Sequence, residues 1–140
     1  MSVVLGYDES PGAVRALNVA IEVSAAFGES LVLVYGAAVP GHMGDEYRAH
    51  RDALRELGRT ALEHAVEAAD EAGVPTTVEI IDAKPSEALL EAAAKHEARV
   101  IVVGTYAESP MRGALLGSTP HKLLHLSSIP VLCVPAPVTG

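Results

Sequence analysis

Val100-Ile101-Val102-Val103-Gly104 is a run of four β-branched residues closed by a glycine. Neither face of that run carries a polar residue, so it reads as a strand buried on both sides, as central strands of parallel sheets are. Helical spacing flanks it. Upstream, Pro85 and Ser86 start a helix carrying Leu89, Leu90 and Ala93. Downstream, Thr119-Pro120 reads as the cap and first turn of a helix through Leu123, Leu124 and His125, before a last strand, Val131-Leu132-Cys133-Val134.

The same alternation continues toward the N-terminus. Val3-Val4-Leu5 ending at Gly6 is a buried first strand. Ser10 and Pro11 suit a helix cap and first position, Val14, Leu17 and Ile21 share a face, and Gly28 closes that helix. Leu31–Tyr35 is a second strand, followed by a loop from Gly36 to Gly44 that is long enough to be functional. Between Asp45 and Ala72 the residues Leu54, Leu57, Ala61, Ala65, Ala68 and Ala72 draw one apolar stripe, stopped by Gly73 and Pro75. Thr76 to Ile81 alternates, with Val78 and Ile80 opposite Thr77 and Glu79, as a half-exposed edge strand would. The order βαβαβαβαβ predicts an α/β domain with a parallel sheet wrapped by helices. No repeat or linker interrupts it, so residues 1–140 are expected to form a single domain.

Composition narrows the function. With 140 residues, 49% of them hydrophobic and 20% charged, the chain buries enough surface for a core and is neither disordered nor fibrous. The single Cys133 allows no internal disulfide, no start resembling a secretory leader is present, and no apolar run approaches the ~20 residues of a membrane span. A cytoplasmic location is expected. Eighteen acidic against ten basic residues give a net charge of -8, and aromatics are only 4%. Both facts oppose nucleic-acid binding, which needs phosphate neutralisation and stacking surfaces. A small ligand or a protein remains.

The strongest chemical feature follows the Val100–Val103 strand: Gly104-Thr105-Tyr106-Ala107, nine further residues, then Gly117-Ser118-Thr119 and a helix. Ligands of open parallel sheets collect at the carboxyl ends of strands. There Gly104 admits close backbone approach, and Gly117 and Ser118 offer free N–H groups and a hydroxyl at a helix N-terminus, which favours anions. Arg112 lies between them as a bidentate donor. Asp8, at the end of the first strand, is placed to accept hydrogen bonds from ribose hydroxyls. The same residues also admit a plain structural reading, in which Gly117 and Ser118 turn and cap one helix and Asp8 caps another.

Over essentially its whole length the chain resembles the universal stress proteins. The resemblance lies in the Val3–Ser10 opening, the Leu31–Tyr35 strand, the Ala98–Gly104 strand with its glycine-rich continuation, and the Ser128-Ile129-Pro130-Val131-Leu132-Cys133-Val134 ending. It implies a Rossmann-like, adenine nucleotide alpha hydrolase-like three-layer sandwich, a five-stranded parallel sheet in the order 3-2-1-4-5, and a homodimer, formed through the last strand. ATP-binding members carry Gly, two residues, Gly, nine residues, Gly, then Ser or Thr. This sequence has Gly104, Ala107, Gly117 and Ser118 there. The methyl group of Ala107 restricts positive φ where backbone should approach phosphate. By resemblance Asp8 would hold the ribose, Gly36 and its neighbours the adenine, and Gly104, Ala107, Gly117, Ser118 and Thr119 the phosphates of ATP or another adenine nucleotide, with Mg²⁺ as a companion. Arg112 sits where many members have a basic residue. The implied role is nucleotide-dependent regulation in stress, through protein partners the sequence does not name. A nucleotide-free interaction module of the same fold is the alternative.

Other features carry less. Asp8-Glu9, Asp82 and Thr105 are compatible with a phosphoacceptor receiver domain, but Ser127-Ser128-Ile129-Pro130 lacks the lysine that such a domain needs. His121 and His125 are four apart on the last helix, with no evident third ligand, and no metal site is expected; His42 and His50 receive no role. Cys133 reads as a buried, inert thiol. Without a nucleophile elbow or a lysine in the phosphate loop, at most slow ATP hydrolysis is expected.

Overall fold

Among the described residues five parallel strands and four helices alternate: β1 (Ser2–Gly6), α1 (Pro11–Phe27), β2 (Ser30–Gly36), α2 (Asp45–Glu71), β3 (Thr76–Ile81), α3 (Pro85–Lys95), β4 (Ala98–Gly104), α4 (Ser118–Leu126) and β5 (Val131–Val134). The structure, a computed structural model, describes residues 1–8, 11–38, 44–105 and 117–135. The strands form one sheet in the order β3-β2-β1-β4-β5, all pairs parallel. This is the α/β, Rossmann-like arrangement, and its winding reverses between β1 and β4.

Side chains alternate across the strands and divide the core into two layers. Val3, Leu5, Leu31, Leu33 and Val102 pack with α1 and α2, whereas Val4, Val32, Val34, Ile101 and Val103 pack with α3 and α4. Both faces of β1, β2 and β4 are thus covered, which is why these strands read as unbroken apolar runs. α1 ends at Gly28 and the α2–β3 turn passes through Gly73, both at positive φ (66° and 74°), where a side chain would be strained.

Two helix faces differ from the expected stripes. On α1 the buried face is Ala13, Ala16, Leu17, Ala20 and Ser24, while Val14 is 43% exposed. Alanines let this helix lie close to the sheet, so small residues mark its buried side better than branched ones. On α2 Leu57 is 64% exposed. Its neighbour Gly58 faces the core instead, because a Cβ there would stand 2.9 Å from the Tyr35 ring. The buried stripe therefore runs through Leu54, Gly58, Ala61, Leu62, Ala65 and Ala69. α4 begins two residues earlier than the Thr119-Pro120 signal suggests: Gly117 is its N-cap and Ser118 its first residue. β3 is an edge strand as expected, with Val78 left exposed.

Candidate functional site

The reversal of winding opens a crevice beyond the carboxyl ends of β1 and β4, where neighbouring connections leave in opposite directions. A cleft of about 320 Å³ occupies it. Asp8, Gly36, Gly104, Gly117, Ser118 and Thr119, which lie in four separate stretches of sequence, all line it. Ala107 and Arg112 lie outside the described residues.

Each wall has a local cause. Asp8 follows β1 as the chain leaves the sheet, held by the Tyr7 amide, which donates to the Val34 carbonyl at 3.1 Å. Gly36 ends β2 hard against α3: a Cβ there would stand 2.6 Å from the Ala88 Cβ. Gly104 ends β4 against the first turn of α1, where a Cβ would stand 2.9 Å from the Gly12 carbonyl oxygen. The Gly117 amide donates to the Thr105 carbonyl at 2.9 Å, and the Thr105 amide donates to the Val134 carbonyl at 3.0 Å. These two bonds tie the start of α4 to the ends of β4 and β5.

The cleft's electrostatics are those of backbone dipoles more than of charged side chains. α4 points its N-terminus at the cleft, and its N-cap Gly117 supplies no side-chain hydrogen bond to the first turn. Amides of that turn, with the Ser118 and Thr119 hydroxyls beside them, form an anion-binding edge. Ser118 therefore does not cap the helix; it stands within it, exposed at the cleft's rim. At the far side the floor is apolar, made by Val34, Pro85 and Leu89. A ligand with a flat apolar end, hydroxyls near Asp8 and an anionic end near Ser118 matches this order of surfaces. Tyr7, Pro85 and Leu89 are cleft residues that the sequence did not single out, while Thr105 belongs to the Gly104–Ala107 stretch. Nothing in the sequence brought α3 to β2.

A model of the universal stress protein family matches residues 1–135. The chain belongs to that family. This universal stress protein is 32% identical to one from Thermus aquaticus over 135 residues, which covers 95% of this chain and 97% of the relative. Among solved structures it resembles a universal stress protein family member from Burkholderia pseudomallei, with 30% identity, TM-score 0.75 and 96% of each chain covered. It also resembles a universal stress protein crystallised in complex with cAMP, with 28% identity, TM-score 0.79 and 98% of each chain covered.

Cys133 is half-buried on the β5 edge, not fully enclosed, and burial pushes its thiol pKa up, away from reactivity. The Tyr47 hydroxyl donates to Asp82 at 2.5 Å, joining the start of α2 to the β3–α3 turn. That bond holds the phenol's pKa above its ordinary value, because losing the proton would set two negative charges together. Among the described residues no cluster of three or more metal-ligating side chains occurs. No helix is long and apolar enough to cross a membrane among them either.

Proposed function

We propose that the cleft binds an adenine nucleotide, ATP with Mg²⁺ among the candidates, and that the protein acts as a nucleotide-dependent regulator in a stress response. One observation carries this reading: Asp8, Gly36, Gly104, Gly117, Ser118 and Thr119 converge on a single cleft with an anion-favouring helix N-terminus at one end. The relative crystallised with cAMP supports the same ligand class. In this reading Asp8 accepts from the ribose hydroxyls, backbone around Gly36 meets the base, and Ser118 and Thr119 donate to phosphate. Ala107 and Arg112 belong to the same proposed phosphate site. The protein is not assigned an enzymatic activity.

The proposal extends to assembly and location. Among the described residues β5 is an edge strand of the sheet, with Leu132 38% exposed, which suits pairing with a second copy through Val131–Val134 in a cytoplasmic homodimer. Regulatory partners would be proteins reading the occupied state.

A specific observation favours a second reading, in which the fold serves as a nucleotide-free interaction module. Gly104 and Gly117 are each demanded by packing inside the chain, so neither needs a ligand to explain it. Native mass spectrometry of protein purified without added nucleotide, followed by calorimetric titration of ATP and Mg²⁺ into wild type and Ser118→Ala, separates the two. A bound adenine nucleotide weakened by the substitution supports the first. No bound mass and no heat into the millimolar range would leave the second.

A further inference from the structure

His121 and His125 stand outside the cleft, on the solvent side of α4. Both are exposed, their ring centres are 4.7 Å apart, and the ring planes are inclined by 66°. Among the described residues no hydrogen bond or ion pair occupies a nitrogen of either ring. The helix beneath them is fixed: Leu123 and Pro120 are buried, the His121 amide donates to the Gly117 carbonyl at 3.2 Å, and the Ser127 amide donates to the Leu123 carbonyl at 2.9 Å.

We propose that His121 and His125 together chelate one divalent transition cation of the zinc, nickel and copper class. A metal about 2.0–2.1 Å from a ring nitrogen lies about 3.2 Å from that ring's centre, and a tetrahedral angle then puts two ring centres about 5 Å apart. The observed 4.7 Å is within a few tenths of an ångström of that separation. The helix holds the two residues one turn apart on the same exposed face, so both rings can turn toward a shared cation. Two neutral imidazoles without carboxylates favour borderline cations over magnesium and calcium. Water fills the remaining positions. Lys122, the one charged residue of α4, opposes a cation locally, while the net charge of -8 attracts it to the molecule as a whole.

The test is a calorimetric titration of zinc chloride, with magnesium chloride as comparison, into wild type, His121→Ala, His125→Ala and the exposed control His50→Ala. All three substituted positions are solvent-facing, so metal-free thermal midpoints of the four proteins should agree and confirm folding. One zinc per chain is expected for wild type and His50→Ala, with binding weakened roughly 100-fold in either α4 variant, because a chelate becomes a single contact. Magnesium should give no heat. Zinc affinity unchanged in both α4 variants, half an equivalent per chain, or no binding to wild type at millimolar zinc would overturn the proposal. None of these outcomes depends on whether the cleft binds nucleotide.

Discussion

The Cα of Gly104 faces the carbonyl of Gly12 so closely that a methyl group there would sit 2.9 Å from the oxygen. A glycine of the proposed phosphate motif is therefore also the seat of α1's first turn on β4, so packing alone already demands it. Gly104→Ala should lower the unfolding free energy by about 1–3 kcal/mol, the usual cost of overpacking, whether or not nucleotide is present. Urea denaturation measures it, and an unchanged midpoint would mean that α1 moves away freely.

Gly36 and Ala88 form a second such contact, methyl against methyl at 2.6 Å once a Cβ is added. Gly36→Ala should destabilise the protein, and Ala88→Gly in the same chain should recover part of the loss despite the helix cost of glycine. A double-mutant cycle should return a coupling of about 0.5–3 kcal/mol. Additive effects would count against direct contact.

Ser24 is fully buried in α1, and its hydroxyl has no hydrogen-bond partner among the described residues. Removing an unsatisfied buried hydroxyl relieves a desolvation cost, so Ser24→Ala should raise stability by about 1 kcal/mol. Thermal denaturation would show a higher midpoint; a lower one would point to a partner such as buried water.

Two glutamates tie stability to acid. Hydrogen bonds from Arg99 hold the Glu29 carboxyl below its ordinary pKa of 4.5, and hydrogen bonds from Lys95 and then His96 do the same for Glu79. A depressed carboxylate pKa adds stability that is present above the unfolded value and is lost as pH falls through the folded one. Denaturant midpoints should therefore hold near neutrality and decline below about pH 4.5. Glu29→Gln with Glu79→Gln should flatten that decline. An equally steep acid profile in the double variant would assign the effect to other carboxylates.

How much was legible varied with the physics behind each element. The strands of the sheet centre were plain because burial on two faces leaves runs such as Val3-Val4-Leu5 and Val100–Val103 no room for polar residues. The helices were legible as helices, and their buried faces in part. Leu17, Leu54, Ala61 and Ala65 are buried where the apolar spacing put them, but Val14 and Leu57 are apolar and exposed, while Ala16 and Gly58 are small and buried. Distance to the sheet decides that, and distance is not written in periodicity. The candidate site was legible as a motif from Gly104 to Thr119 and as a strand-end carboxylate at Asp8, because both follow from local rules about strand ends and helix starts.

By itself, then, the sequence determined the alternation of strands and helices, the family, and the residues from which a phosphate-facing loop would be built, since each depends on neighbours a few positions apart. Tertiary structure alone decided that Asp8, Gly36, Gly104 and Ser118 share one cleft, that Pro85 and Leu89 complete it, and that Gly104 is held by Gly12. It also set the His121 and His125 rings 4.7 Å apart with their nitrogens free of hydrogen bonds among the described residues. Such relations depend on which strand lies beside which and how closely a helix settles on the sheet. The packing of the whole chain sets them, not any segment of it.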